Sequence, residues 1–171
     1  MIQLKPLLKE HVVPFYTWIN DDEVIKYSLP LFLKIKTKEE IDAWYVELLK
    51  DTELLNLGIF LEDTGQLIGY AGICNISRLN KSGEYYIFIG EKSFWGKGIA
   101  KVVTKEIVHI GFNKYDLNRI FLTVSEPNIG GVKAYEKAGF KYEGNLREAC
   151  FRGGKFHDKI IMSVLKSEWE G

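Results

Sequence analysis

Gly90-Glu-Lys-Ser-Phe-Trp-Gly-Lys-Gly-Ile-Ala100 separates two segments of different hydrophobic period. Before it, Glu84 to Ile89 is rich in Tyr, Ile and Phe and reads as a strand. After it, Ile99, Val103, Ile107 and Ile110 share one face of a helix expected over 99–112. A helix that opens this way turns its unpaired N–H groups and the positive end of its dipole toward the loop. Gly96 and Gly98 allow positive φ and close approach of the backbone to a ligand. Ala100 keeps the first turn small, and Lys97 and Lys101 add positive charge. The segment is an expected anion site, best suited to a phosphate or pyrophosphate. The alternative is a glycine turn that holds nothing, and a short glycine motif alone does not separate the two.

Two familiar phosphate loops are excluded. A Walker loop needs a Ser or Thr after its Gly-Lys, whereas Gly98 follows Lys97. A dinucleotide fingerprint needs a third glycine where Lys101 stands, inside an opening βαβ unit that this chain lacks.

Outward from the loop, the pattern alternates between periods. Met1 to Leu7 reads as an edge strand, and 11–18 as a short helix with Pro14 in its first turn. Thr37 and Glu40 form a capping-box pair ahead of Ile41, Trp44, Tyr45, Leu48 and Leu49 at helical spacing. Leu57 to Glu62 and Gln66 to Ile76 read as a hairpin around Asp63-Thr-Gly65, with a break expected at Ser82-Gly83. Arg119 to Val124 is a buried-looking strand. A helix is expected from Pro127 to Ala138, stopped by Gly139. Phe140 to Phe151 and Phe156 to Leu165 pair around Arg152-Gly-Gly154. The result is an α/β (α+β) chain with a mixed sheet, read as one domain over 1–171.

The chain has 171 residues, 46% hydrophobic, with 23 basic and 23 acidic side chains and a formal net charge of zero. This suits a globular core and carries no basic excess, so no nucleic-acid partner is expected. No apolar run reaches the length of a membrane span, and no signal peptide is evident, so a cytoplasmic protein is expected. Cys74 and Cys150 read as two reduced thiols. Asn75-Ile-Ser77 and Asn80-Lys-Ser82 match a glycosylation pattern but read as ordinary loop residues. His11, His109 and His157 have no metal-like spacing, and no metal site is assigned.

Trp95-Gly-Lys-Gly-Ile-Ala100 resembles the acetyl-CoA signature of the GNAT superfamily. Asn128-Ile-Gly-Gly-Val-Lys-Ala-Tyr-Glu-Lys-Ala-Gly-Phe140 resembles the family's second motif, an Asn ahead of a helix ending in Tyr-Glu-Lys-x-Gly-Phe. The stretch from Glu143 to Trp169 is similar to the RimJ/RimL branch, which acetylates protein N-termini, and to polyamine acetyltransferases. Trp95 departs from the signature, standing where Gln or Arg is usual.

The resemblance implies one mixed, mostly antiparallel sheet of about seven strands flanked by about four helices. It implies acetyl-CoA as co-substrate, held by Phe88, Ile89, Gly90, Trp95, Gly96, Lys97, Gly98, Ile99, Ala100, Lys101 and Asn128. In this family the strand 85–89 splays from the strand 119–124, and a free N–H near Phe88 or Ile89 would meet the oxyanion. Tyr135 matches the family's tyrosine and is the expected acid for the leaving thiolate. A phenol of pKa about 10 can protonate a thiolate whose acid has pKa near 8.5. Glu84 is the candidate base, equally readable as a solvated strand end. Asn128 reads equally well as a helix cap.

The expected reaction is direct acetyl transfer to a primary amine in a ternary complex, with a protein or peptide N-terminus preferred. The alternatives are a small amine (polyamine, amino sugar or aminoglycoside) and a non-catalytic acetyl-CoA-binding module. A peptide predicts an open groove beside 85–89, and a small amine a closed acidic pocket. Asp21, Asp22 and Glu23 are candidate acceptor contacts, but read better as a solvated turn. The resemblance also suggests a homodimer.

Overall fold

The computed structural model describes residues 1–170. One sheet holds β1 (Ile2–Lys5), β2 (Leu55–Leu61), β3 (Leu67–Ser77), β4 (Ser82–Ile89), β5 (Arg119–Ser125), β6 (Lys141–Arg152) and β7 (Lys155–Leu165). Its order is β1-β2-β3-β4-β5-β7-β6. Four α-helices are described: α1 (Val13–Trp18), α2 (Lys38–Lys50), α3 (Ile99–Lys114) and α4 (Ile129–Lys137). Tight turns join β2 to β3, β3 to β4 and β6 to β7, which makes those pairs antiparallel. The chain leaves β4 through α3 and returns as β5, so these two strands pair in parallel.

Alternation along the strands sends side chains to two cores. On one face Ile73, Tyr85, Ile120 and Leu122 pack with Val103, Ile107 and Phe112 of α3, and Tyr135 of α4 joins their edge. On the other, Phe60, Tyr70 and Phe88 pack with Phe15, Trp18, Ile41 and Tyr45 of the first two helices. Phe15 is fully buried, with ring centroids 5.0 Å from Trp18 and 5.4 Å from Tyr45. The capping box forms as read: the Glu40 N–H donates to Thr37 Oγ1 at 3.2 Å, and the Thr37 N–H to Glu40 Oε2 at 3.0 Å.

Three local expectations are corrected. Ser82-Gly83 does not break the chain; the turn is 78–81, and Gly83 is buried inside β4. A Cβ at Gly83 would lie 2.4 Å from Ile73 Cγ2, so glycine is there for packing. Asn75 is a residue of β3 rather than a loop, at φ 48 where the β3–β4 register shifts. Pro127 precedes α4, which Asn128 caps.

The parallel pairing is short. Ser82, Gly83 and Glu84 face Arg119, Ile120 and Phe121, and no pair follows. From Tyr85 onward β4 keeps its bonds to β3 and turns its other edge to an open wedge.

Candidate active site

Backbone polarity in the wedge follows from the register. The Gly90 N–H donates to the Ile68 carbonyl at 3.0 Å, and Gly90 stands opposite Ile68 in the antiparallel ladder. Every second residue shares that orientation, so Phe88, Tyr86 and Glu84 also bond toward β3. Tyr85, Ile87 and Ile89 therefore turn their polar groups toward β5, and the parallel pairing consumes the Tyr85 N–H. The N–H groups of Ile87 and Ile89 are left facing the wedge, where buried backbone polar groups demand a partner. This separates two expected contacts. Ile89 lies on the wedge edge. Phe88 does not: its side chain is buried among Phe15, Trp18, Phe32 and Tyr70 on the other face. Ile87 went unnoticed in the sequence, because only register reveals which strand edge is unpaired.

At the wide end of the wedge sits the glycine loop. Gly96 has φ 73 and Gly98 φ 78, and a Cβ at either would meet nothing within 4 Å. Positive φ is what these positions require, and their surroundings are open to a ligand. Gly98 is the N-cap of α3, so the N–H groups at the start of Ile99–Lys101 point outward without helical partners. Lys97 and Lys101 are exposed beside them, with Lys97 Nζ 4.9 Å from the Phe94 ring centre. Trp95 takes no polar role toward a phosphate. Its indole N–H donates to the Ile89 carbonyl at 2.9 Å and pins the loop to the end of β4. Gly90 is not a phosphate glycine: a Cβ there would fall 2.0 Å from Trp18 Cδ2, so its role is to let that ring pack.

Tyr135 lies on α4, half-buried, its ring 6.1 Å edge-on from Tyr85 and 6.2 Å from Phe140. Its hydroxyl has no hydrogen-bond partner among the described residues, and desolvation pushes its pKa up to about 12. It is a protonated donor at any neutral pH. Tyr85 is unavailable for that role, because its hydroxyl is buried against Thr104 Oγ1 at 2.9 Å. Glu84 sits at the vertex of the wedge, where Asn75 Nδ2 donates to its carboxylate at 2.8 Å. Asn128 behaves as a cap, its Oδ1 accepting from the Gly131 N–H at 3.1 Å.

On the sheet face opposite α3 and α4, a cavity of about 600 Å³ opens beside the end of β5. Asp22, Lys26, Tyr27 and Leu33 roof it, Ser125 and Pro127 form its floor, and Cys150, Arg152, Lys155 and His157 close it from the β6–β7 hairpin. Two bonds tie the roof down: Tyr27 Oη to the Pro127 carbonyl at 3.3 Å, and Arg152 Nη2 to the Ser28 carbonyl at 3.3 Å. Glu84 does not line this cavity. Neither do Asp21 and Glu23, which both pair with Lys92, at 2.7 and 3.0 Å. The hairpin residues were missed in the sequence. The signal was Gly153-Gly154, which adopt φ 59 and 75 and set Arg152 directly opposite Lys155.

Residues 2–141 match the acetyltransferase (GNAT) domain. The chain belongs to that family. A putative ribosomal N-acetyltransferase, YdaF, from Bacillus subtilis is 32% identical over 107 residues, covering 63% of this chain and 58% of that protein. A spermidine N(1)-acetyltransferase of Vibrio cholerae is 32% identical over 103 residues, covering 60% and 59%. Both alignments thus span less than two thirds of the relative's length. In shape, the chain resembles spermidine N-acetyltransferase from Vibrio cholerae solved with CoA and spermine. The TM-score is 0.86 at 24% identity, covering 98% of this chain and 96% of that one.

This GNAT chain is an acetyl-CoA-dependent N-acetyltransferase. The wedge fits the co-substrate on its own chemistry: an amide-bearing arm can pair with the unpaired edge of β4 as an added strand would. The open N-terminus of α3 suits the diphosphate. Acetyl-CoA brings a thioester-activated acetyl group. Among the described residues no cluster of His, Cys, Asp and Glu could hold a metal ion, and no helix is long and apolar enough to cross a membrane.

Proposed function

We propose that this chain acetylates the primary amine of a small molecule, by direct attack of the amine on acetyl-CoA held in the wedge. The carrying observation is the tied-down roof. The Tyr27–Pro127 and Arg152–Ser28 bonds hold the roof over a half-open cavity whose size suits a small ligand. Resemblance of the last stretch to the RimJ/RimL branch speaks for a peptide N-terminus, but the size of the cavity and the similarity to a spermidine N(1)-acetyltransferase favour the small amine. The cavity is half open and basic rather than the closed acidic pocket expected from the sequence. Tyr135 holds the proton destined for the departing thiolate, and Ile87 and Ile89 offer N–H groups to developing oxygen charge. His157 and Asp22 line the cavity, which Glu84 does not, and are the candidates to accept the amine's proton. Free-thiol release, measured with short peptides and with single small amines of varied charge, tests the reading. Turnover of a small amine at lower KM than any peptide supports it; efficient turnover confined to peptides overturns it.

A further inference from the structure

The cavity's charge runs against a polyamine. Lys26, Arg152 and Lys155 line it, against one carboxylate, Asp22. Among the described residues no carboxylate lies within 4.0 Å of any of these three cations. Of the acids beside Asp22, Asp21 and Glu23 both turn to Lys92 rather than to these cations, and the trio keeps one negative charge. Arg152 is the most constrained of the three. Its Nη1 donates to the Phe151 carbonyl at 2.9 Å and its Nη2 to the Ser28 carbonyl at 3.3 Å. Its Nε is buried with no partner. Neutral carbonyls orient the guanidinium without cancelling its charge. A partly buried cation in low dielectric raises the local potential more than a solvated one.

Resting on the small-amine reading, we infer that the acceptor carries an anionic group, a carboxylate or a phosphate, received by Arg152, Lys155 and Lys26 while its amine faces the wedge. The hairpin supplies the geometry. Arg152 and Lys155 are cross-strand partners flanking the glycine turn, so their side chains leave the same end of the cavity. Lys26 meets them from the roof, together with the Tyr27 ring, 5.3 Å from its ammonium. Such an arrangement repels spermidine and holds a dianion from two sides.

Thiol release with four acceptors separates the cases: aspartate, glucosamine 6-phosphate, glucosamine and spermidine, in wild type, Lys155→Gln and Arg152→Gln. The inference expects KM for aspartate or the phosphorylated sugar at least tenfold below that for glucosamine or spermidine. It also expects that KM to rise about tenfold in Lys155→Gln and with added salt. The better of the two anionic acceptors tells carboxylate from phosphate. The Lys155 side chain is exposed and makes no hydrogen bond or ion pair among the described residues, so its variant stays informative if Arg152→Gln unfolds. Preference for glucosamine or spermidine, or indifference of the anionic KM to Lys155→Gln, overturns the inference while leaving small-amine acetylation intact. Release with none of the four, alongside turnover of peptides, overturns the parent reading. Calorimetric binding of N-acetylaspartate, lost in Lys155→Gln, then decides the anion site separately from turnover, and its absence in wild type sinks it.

Discussion

Tyr135 is held with an unbonded hydroxyl at the edge of the α3 core, and burial keeps it protonated. Removing that one oxygen should leave packing intact and cost the reaction its proton donor. Tyr135→Phe is expected to lower kcat about 100-fold or more, with KM for acetyl-CoA little changed. A kcat within a factor of a few of wild type would remove the tyrosine from the mechanism. The sign of the pH effect follows from the raised pKa: the donor stays protonated through the ordinary phenol range near 10 and is lost only toward about 12. Any alkaline fall of kcat below pH 10 must therefore come from another group. Two glycines make a second test at this scale. Gly98→Ala forces a side chain into φ 78 in open space, a backbone cost of about 1–2 kcal/mol, and should raise KM for acetyl-CoA. Gly90→Ala drives a methyl into the Trp18 ring and should destabilise by about 1–3 kcal/mol. Urea midpoints beside KM values tell the two apart. A Gly98→Ala protein with unaltered KM would deny the loop its phosphate role.

The element that sets the wedge is β5, gripped on its far side while β4 leaves it. Arg119 at its start reaches Glu143 of β6, Nη2 to Oε2 at 2.8 Å, and Ser163 of β7 donates to the same carboxylate. The Arg119 guanidinium, then the Ser163 hydroxyl, hold the Glu143 pKa down to about 2, against an ordinary 4.5. Because the folded value lies below the unfolded one, the stabilisation is present above about pH 4.5 and is lost as pH falls toward 2. The pair is about one third exposed, so screening leaves about 1 kcal/mol. Glu143→Gln should lose that much in urea unfolding at pH 7 and match wild type near pH 2. A constant difference across that range would show that the carboxylate's charge is not what grips β5. Elements of this kind were legible in the sequence where a period or a cap marks them, as with α2 and its Thr37–Glu40 box. The bond from Arg119 to Glu143 was not, since it depends on β7 inserting between β5 and β6. For the same reason Ile87 and the hairpin cations stayed hidden: strand register and sheet order, which local pattern does not encode, decide which edges and side chains meet.

At the scale of the whole molecule, two cores clamp the sheet from opposite faces, yet its centre is split where β4 and β5 part. The loop motif and the α4 motif led from sequence to the co-substrate, because phosphate binding depends on local backbone and a nearby helix start. The acceptor side did not yield to sequence, because its cavity gathers residues from 22 to 157 out of three separate stretches of the chain. The split has a thermodynamic consequence. A ligand that pairs with the free edge of β4 and caps α3 binds the folded chain and has no site in the unfolded one. At 100 times its Kd, acetyl-CoA should add about 2.7 kcal/mol, which for a chain of this size is a rise in Tm of roughly 5–11 °C. Scanning calorimetry with increasing acetyl-CoA measures it. Gly98→Ala should need more ligand to reach the same rise, while Lys155→Gln, acting only at the acceptor cavity, should follow wild type. If acetyl-CoA left Tm unmoved, or if Lys155→Gln blunted the rise as much as Gly98→Ala, the assignment of the wedge and the cavity to separate substrates would fall.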